Sequence, residues 1–166
     1  MWGLPWSEHN QARFMALKEI LRNGSYDVVV LQEVWFKQHY DIIKDTLPYV
    51  SPFTEPMNDV LCSIFGAAQI PFECSGLMIL SQHPVEEFSY KPYSVRGKLI
   101  FDGQFAVRKG LGVARIRWNG IKIDVTTSHF ATYTLTEAEN FFTRKVQARE
   151  TVGMLEDSLS DFKESE

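Results

Sequence analysis

Apolar residues recur at helical spacing near the start of the chain and at strand spacing later. Over Ser7 to Asn23, Phe14, Leu17, Ile20 and Leu21 share one helical face and Gly24 follows as a stop, which predicts a helix. The period then changes. Tyr26 to Gln32 contains the continuous run Val28-Val29-Val30-Leu31, which predicts a strand buried on both faces, with Glu33 at its C-terminal end. His39 to Leu47 reads as a second helix, closed by Pro48. Residues 51 to 75 carry Pro52, Pro56, Gly66 and Pro71 and no period, so they predict a long irregular loop. Gly76 to Ser81 reads as another buried strand, followed by a turn at His83-Pro84 and an alternating strand over Val85 to Tyr93. Gly110 to Trp118 predicts a strand through Leu111, Val113 and Ile116. Asn119-Gly120 is a strong hairpin signal, and Ile121, Ile123 and Val125 alternate on the return toward His129. Thr136 to Leu159 reads as a long helix, and Ser160 to Glu166 as a polar, frayed tail.

Helices flanking a run of strands, one pair joined by a tight hairpin, predict a layered α/β domain with antiparallel neighbours in its sheet. The 166 residues suffice for one ordinary domain, and no repeat or linker divides them. A hydrophobic content of 45% fits a globular protein and argues against a disordered chain. The formal charge of -4 gives no general attraction to nucleic acid or to an anionic membrane. No run of about eighteen apolar residues is present, so no transmembrane segment is expected, and Met1 to Trp6 lacks the basic-then-apolar pattern of a secretory leader. Nothing in the sequence names a compartment. Cys62 and Cys74 lack the histidine or cysteine neighbours of a zinc site. Two buried free thiols are expected of them, a disulfide being the alternative.

Three residues stand where chemistry is plausible. Glu33 ends an apolar strand, where a carboxylate is costly unless it is paired or binds a metal, and strand ends collect active-site groups in many α/β folds. A salt-bridged or capping glutamate is the structural alternative. His129 follows the last strand among Thr126, Thr127 and Ser128, placed either to contact a phosphate or simply to bond a neighbouring backbone group. Lys109, in Arg108-Lys109-Gly110, precedes a strand and can present positive charge to a phosphate, although short basic pairs usually lie on a solvated face. No phosphate-binding glycine loop and no nucleophile elbow is present.

Tyr26 to Trp35 resembles the D-V-V-x-L-Q-E-V-W segment of neutral sphingomyelinases, within the endonuclease/exonuclease/phosphatase superfamily of deoxyribonuclease-I-like fold. Ser75 to Val85 is similar to that family's G-L-x-I-x-S-K-x-P-I strand and turn, Lys109-Gly110-Leu111 to its K-G-x strand entry, Thr127-Ser128-His129 to its N-T-H, and Trp2-Gly3-Leu4-Pro5 to its opening. The resemblance implies a four-layer α/β/β/α sandwich. It implies hydrolysis of sphingomyelin at a membrane surface to ceramide and phosphocholine, with Mg2+ on Glu33 and a phosphate contact from His129. No nucleic-acid partner is expected. The parent would be membrane-associated or cytoplasmic. The aromatic and apolar residues Ile64-Phe65 and Ile70-Pro71-Phe72 would touch lipid or cover the core. The family's asparagine before W-G, and its later G-D-x-N and S-D-H segments, have no counterpart here. Residues 1 to 166 are therefore expected to form an incomplete domain, inactive alone, with apolar surface uncovered on Val28 to Leu31 and Leu77 to Leu80. The rivals are a nuclease or inositol-phosphate phosphatase of the same superfamily, and a non-catalytic binding module.

Overall fold

The computed structural model describes residues 9–52, 74–95, 107–131 and 137–164. Within them lie α1 (Asn10–Asn23), β1 (Val28–Leu31), α2 (Lys37–Ile43), a 3-10 turn (Lys44–Thr46), β2 (Tyr49–Val50), β3 (Met78–Ser81), β4 (Val85–Pro92), β5 (Gly110–Trp118), β6 (Ile121–Ser128) and α3 (Glu137–Glu164). The opening segment, the loop residues 64–72 expected to touch lipid or cover the core, and Cys62 fall outside the described residues.

The strands form two three-stranded sheets, ordered β1-β3-β2 and β4-β5-β6, and every pairing is antiparallel. β3 is central in the first sheet and all four of its residues are buried. Its side chains alternate between two cores. Met78 and Leu80 pack with Leu21, Ile43 and Leu47, beneath α1 and α2. Ile79 points the other way, to Ala114 and Ile116 of β5. β5 divides its own faces in the same manner, because Leu111 and Val113 meet Met154 and Leu155 of α3. The layers therefore run α1/α2, first sheet, second sheet, α3, which is the expected four-layer sandwich.

Two expectations fail for physical reasons. Among the described residues β1 pairs with β3 alone and stands at the edge of the sheet, so it is half-buried and Val30 keeps 40% exposure. Leu77 to Leu80 is not uncovered, because β5 closes over the inner face of β3. The Asn119-Gly120 hairpin forms as expected, with φ of 51° and 84° at its two central residues, the paired positive values of a type I′ turn.

Candidate functional site

β1 and β6 belong to different sheets, and their C-terminal ends meet at one end of the sandwich. The Gln32 side-chain amide donates to the Ser128 carbonyl at 2.7 Å. That bond sets Glu33 beside His129 across 96 residues of sequence, with His129 Nε2 at 3.9 Å from Glu33 Oε1. The gap is longer than a hydrogen bond, so the carboxylate does not consume the Nε2 position. Glu33 is 29% exposed and sits at φ 64°, in the left-handed region that a non-glycine residue seldom adopts.

His129 is buried, and its ring lies 5.7 Å from that of Trp35. Burial pulls its pKa down from the ordinary 6.5 to about 4, and the positive charge of Lys109 adds to the effect. The imidazole is therefore neutral at pH 7. Its Nδ1 has no hydrogen-bond partner among the described residues. Lys109 is also buried, and its ammonium donates to the Phe130 carbonyl at 3.0 Å. It serves the backbone next to His129 and does not lie on a solvated face.

A supporting shell holds the histidine loop, and sequence reasoning did not find it. Tyr93 Oη is 2.5 Å from Ser128 Oγ and 2.7 Å from Thr151 Oγ1 on α3. The buried Gln147 of α3 accepts from Ala131 N–H at 2.9 Å and donates to the Val95 carbonyl at 3.0 Å. Gly76, at φ 69°, leaves room for Trp35, since a Cβ there would come within 2.5 Å of the indole. Only Gly76 left a trace in the sequence, as the glycine opening a strand motif.

Among the described residues no group of three or more His, Cys, Asp or Glu is gathered to hold a metal. One half-exposed carboxylate still fits magnesium, which uses one or two protein carboxylates and keeps several waters. It does not fit a zinc centre, which needs three or four protein donors. Cys74 is in a disulfide, so the expectation of two buried free thiols is corrected. Among the described residues no helix is long and apolar enough to cross a membrane.

The two sheets, their order and the flanking helices define the deoxyribonuclease-I-like class of α/β sandwich. Residues 2–150 match the model of the Endonuclease/Exonuclease/phosphatase family, and the chain belongs to that family. It is 27% identical to human "Sphingomyelin phosphodiesterase 2" over 131 residues, covering 77% of this chain and 28% of that protein. It is 28% identical to a "Putative neutral sphingomyelinase" of Drosophila melanogaster over 160 residues, covering 94% of this chain and 34% of that one. The chain thus spans about a third of the length of these curated relatives. Among solved structures it resembles a mutant beta toxin from Staphylococcus aureus with bound magnesium ions, at a TM-score of 0.72 and 16% identity, covering 91% of this chain and 53% of that one.

Proposed function

We propose that this chain carries the metal- and phosphate-binding end of a magnesium-dependent phosphodiesterase that hydrolyses sphingomyelin to ceramide and phosphocholine at a membrane surface. One observation carries the reading. Two chemically competent side chains, Glu33 and His129, come from the strand ends of two different sheets and stand side by side, 3.9 Å apart. The names of the relatives favour sphingomyelin over the other phosphoesters of the family, and the magnesium in the similarly folded beta toxin supports that metal.

In the reaction, a water oxygen bonds to phosphorus, the bond from phosphorus to the ceramide oxygen breaks, and that oxygen takes up a proton. Glu33 is the residue of this chain that would hold magnesium, whose charge would neutralise a phosphate oxygen and stabilise the departing ceramide oxygen. His129 enters as a neutral imidazole. Its Nε2 faces the gap and donates to a phosphate oxygen, a contact that strengthens as negative charge builds in the transition state. With burial pulling its pKa down to about 4, His129 suits a neutral hydrogen-bond donor to the phosphate better than the acid that protonates the leaving group. Lys109 and Gln147 fix the loop that carries the ring.

Glu33→Gln tests the assignment. The amide keeps the shape and loses the charge that holds the cation. Paramagnetic broadening by Mn2+ of amide signals around residue 33 should disappear in the variant, and in the enzyme carrying this chain phosphocholine release from sphingomyelin should fall more than tenfold. Retention of more than about a tenth of the activity, where tenfold is about 1.4 kcal/mol of barrier, sinks the metal role.

A further inference from the structure

Beside Glu33, a cavity of about 280 Å3 opens between α1 and the turn that follows β1. Its apolar lining is Phe14, Leu17, Leu31 and Val34, and Asn10, Arg13 and Glu33 add polar groups. Val34 is buried, whereas Phe14, Leu17 and Leu31 remain only half-covered although all three pack toward the first-sheet core. The second wall of Phe14 is fixed, because its ring stacks on the buried His39 at 4.1 Å between centroids. The lining is thus preformed hydrocarbon surface with a guanidinium and an amide alongside, and it adjoins the proposed metal ligand. A cation on Glu33 would make this end of the cavity positive on two sides. Such a cavity suits an amphiphile whose hydrocarbon begins directly after an anionic group.

We propose that this cavity holds the first carbons of the lipid leaving group, with the hydrocarbon against Phe14, Leu17, Leu31 and Val34 and the phosphate end facing Asn10 and Arg13. The assignment rests on the phosphodiesterase reading of Glu33 and deepens it, by naming where the apolar part of the substrate goes. The volume lies just below the usual range of about 300–1,000 Å3 for ligand pockets, so the cavity takes a short segment and not a whole chain. Longer carbons continue toward solvent or bilayer.

The test is an amide NMR titration of the 166-residue chain with phosphocholine, hexylphosphocholine and dodecylphosphocholine, each kept below its micelle concentration, with magnesium present. Shifts should gather at residues 10–17 and 31–34. Affinity should rise about fourfold per methylene over the first carbons and then level off before the chain ends, since each buried methylene contributes about 0.8 kcal/mol. Leu17→Trp, which fills the cavity, should remove the chain-length dependence. Arg13→Gln, an exposed substitution that leaves the core untouched, should weaken the alkylphosphocholines several-fold and leave an uncharged alkyl glucoside of equal length unchanged. Equal binding of phosphocholine with and without a chain overturns the proposal. So do shifts centred on the exposed Phe141 and Phe142 of α3 (each 65% exposed), or an Arg13→Gln effect equal on charged and uncharged amphiphiles. These outcomes leave the Glu33→Gln assay standing. A failure of that assay leaves the titration interpretable, because binding and not turnover is read.

Discussion

Gly76→Ala is the perturbation whose cost the geometry specifies best. The glycine has φ 69°, which an alanine adopts at a cost of about 1–2 kcal/mol. The new methyl would also stand 2.5 Å from Cε3 and Cζ3 of Trp35, closer than carbon atoms approach. Trp35 is 4% exposed, packed with Phe36, Cys74 and Val107, so the indole cannot simply swing out. Overpacking at such a site costs about 1–3 kcal/mol. The sum, about 2–5 kcal/mol, is a large part of the 5–15 kcal/mol that stabilises an ordinary domain. Urea unfolding followed by tryptophan fluorescence should show a lower midpoint at unchanged slope. The clashing atoms belong to the outer ring of the indole, which phenylalanine lacks. Trp35→Phe should therefore recover at least about 1 kcal/mol in the Gly76→Ala background, read as a coupling energy in a double-mutant cycle. The Trp35 ring also lies against His129, so the His129 ring proton signals should move in Gly76→Ala. A loss under about 0.5 kcal/mol, or additive Trp35 and Gly76 effects, would refute the packing argument.

In the enzyme carrying this chain, His129→Ala should lower kcat with little change in KM, as expected of a contact made mainly in the transition state; a rise in KM at constant kcat would make it a ground-state contact. Glu33→Asn should leave the fold as stable as before or up to about 1 kcal/mol more stable in urea, since asparagine tolerates φ 64° better, while Mn2+ broadening is lost; a destabilisation above about 1 kcal/mol would mark Glu33 as structural. His39 is buried between Phe14 and Phe36, and burial lowers its pKa from the ordinary 6.5. The unfolded chain then binds the proton more readily, so stability is intact above pH 6.5 and declines as pH falls toward the depressed folded value. His39→Phe should flatten that decline between about pH 7 and 5 in chemical denaturation, and an unchanged slope would exclude His39 as its source.

Local signals in the sequence were readable where each element carries its own stop. β5 begins at Gly110 and ends at Trp118, as expected, because Asn119 and Gly120 accept the positive φ of the turn that closes it. The helix expected over Thr136 to Leu159 runs on to Glu164, since no glycine or proline breaks it there. β2 escaped notice, because Tyr49-Val50 is too short to show a period and exists only through pairing with Leu80 and Ser81. β1 looked buried on both faces because its residues are apolar, whereas its place at the edge of the sheet among the described residues is a property of strand order. Glu33 and His129 could each be singled out as a strand-end residue. Their approach could not, because it depends on how two sheets lie across each other. The same holds for the cavity beside Glu33, which α1 lines with residues that read as ordinary core positions.

The left-handed backbone at Glu33 ties these strands of argument together. A glutamate has no local reason to adopt φ 64°, so the flanking structure must impose it. On one side the Gln32 amide is bonded to the Ser128 carbonyl in the second sheet at 2.7 Å. On the other, Val34 N–H donates to the Gly76 carbonyl at 3.0 Å, just before β3 in the first sheet. Neither anchor is near Glu33 in sequence, and each draws the chain toward a different sheet. A single residue between them must make the turn, and the left-handed conformation lets it do so while its carboxylate faces His129. Gly76 then serves two ends. Its positive φ presents the carbonyl that holds Val34, and its missing side chain admits the Trp35 ring that lies against His129. The geometry of the proposed metal and phosphate groups is thus set by hydrogen bonds on either side of them, one from the Gln32 side chain and one from the Val34 backbone, and the proposed metal role would account for strain kept at Glu33.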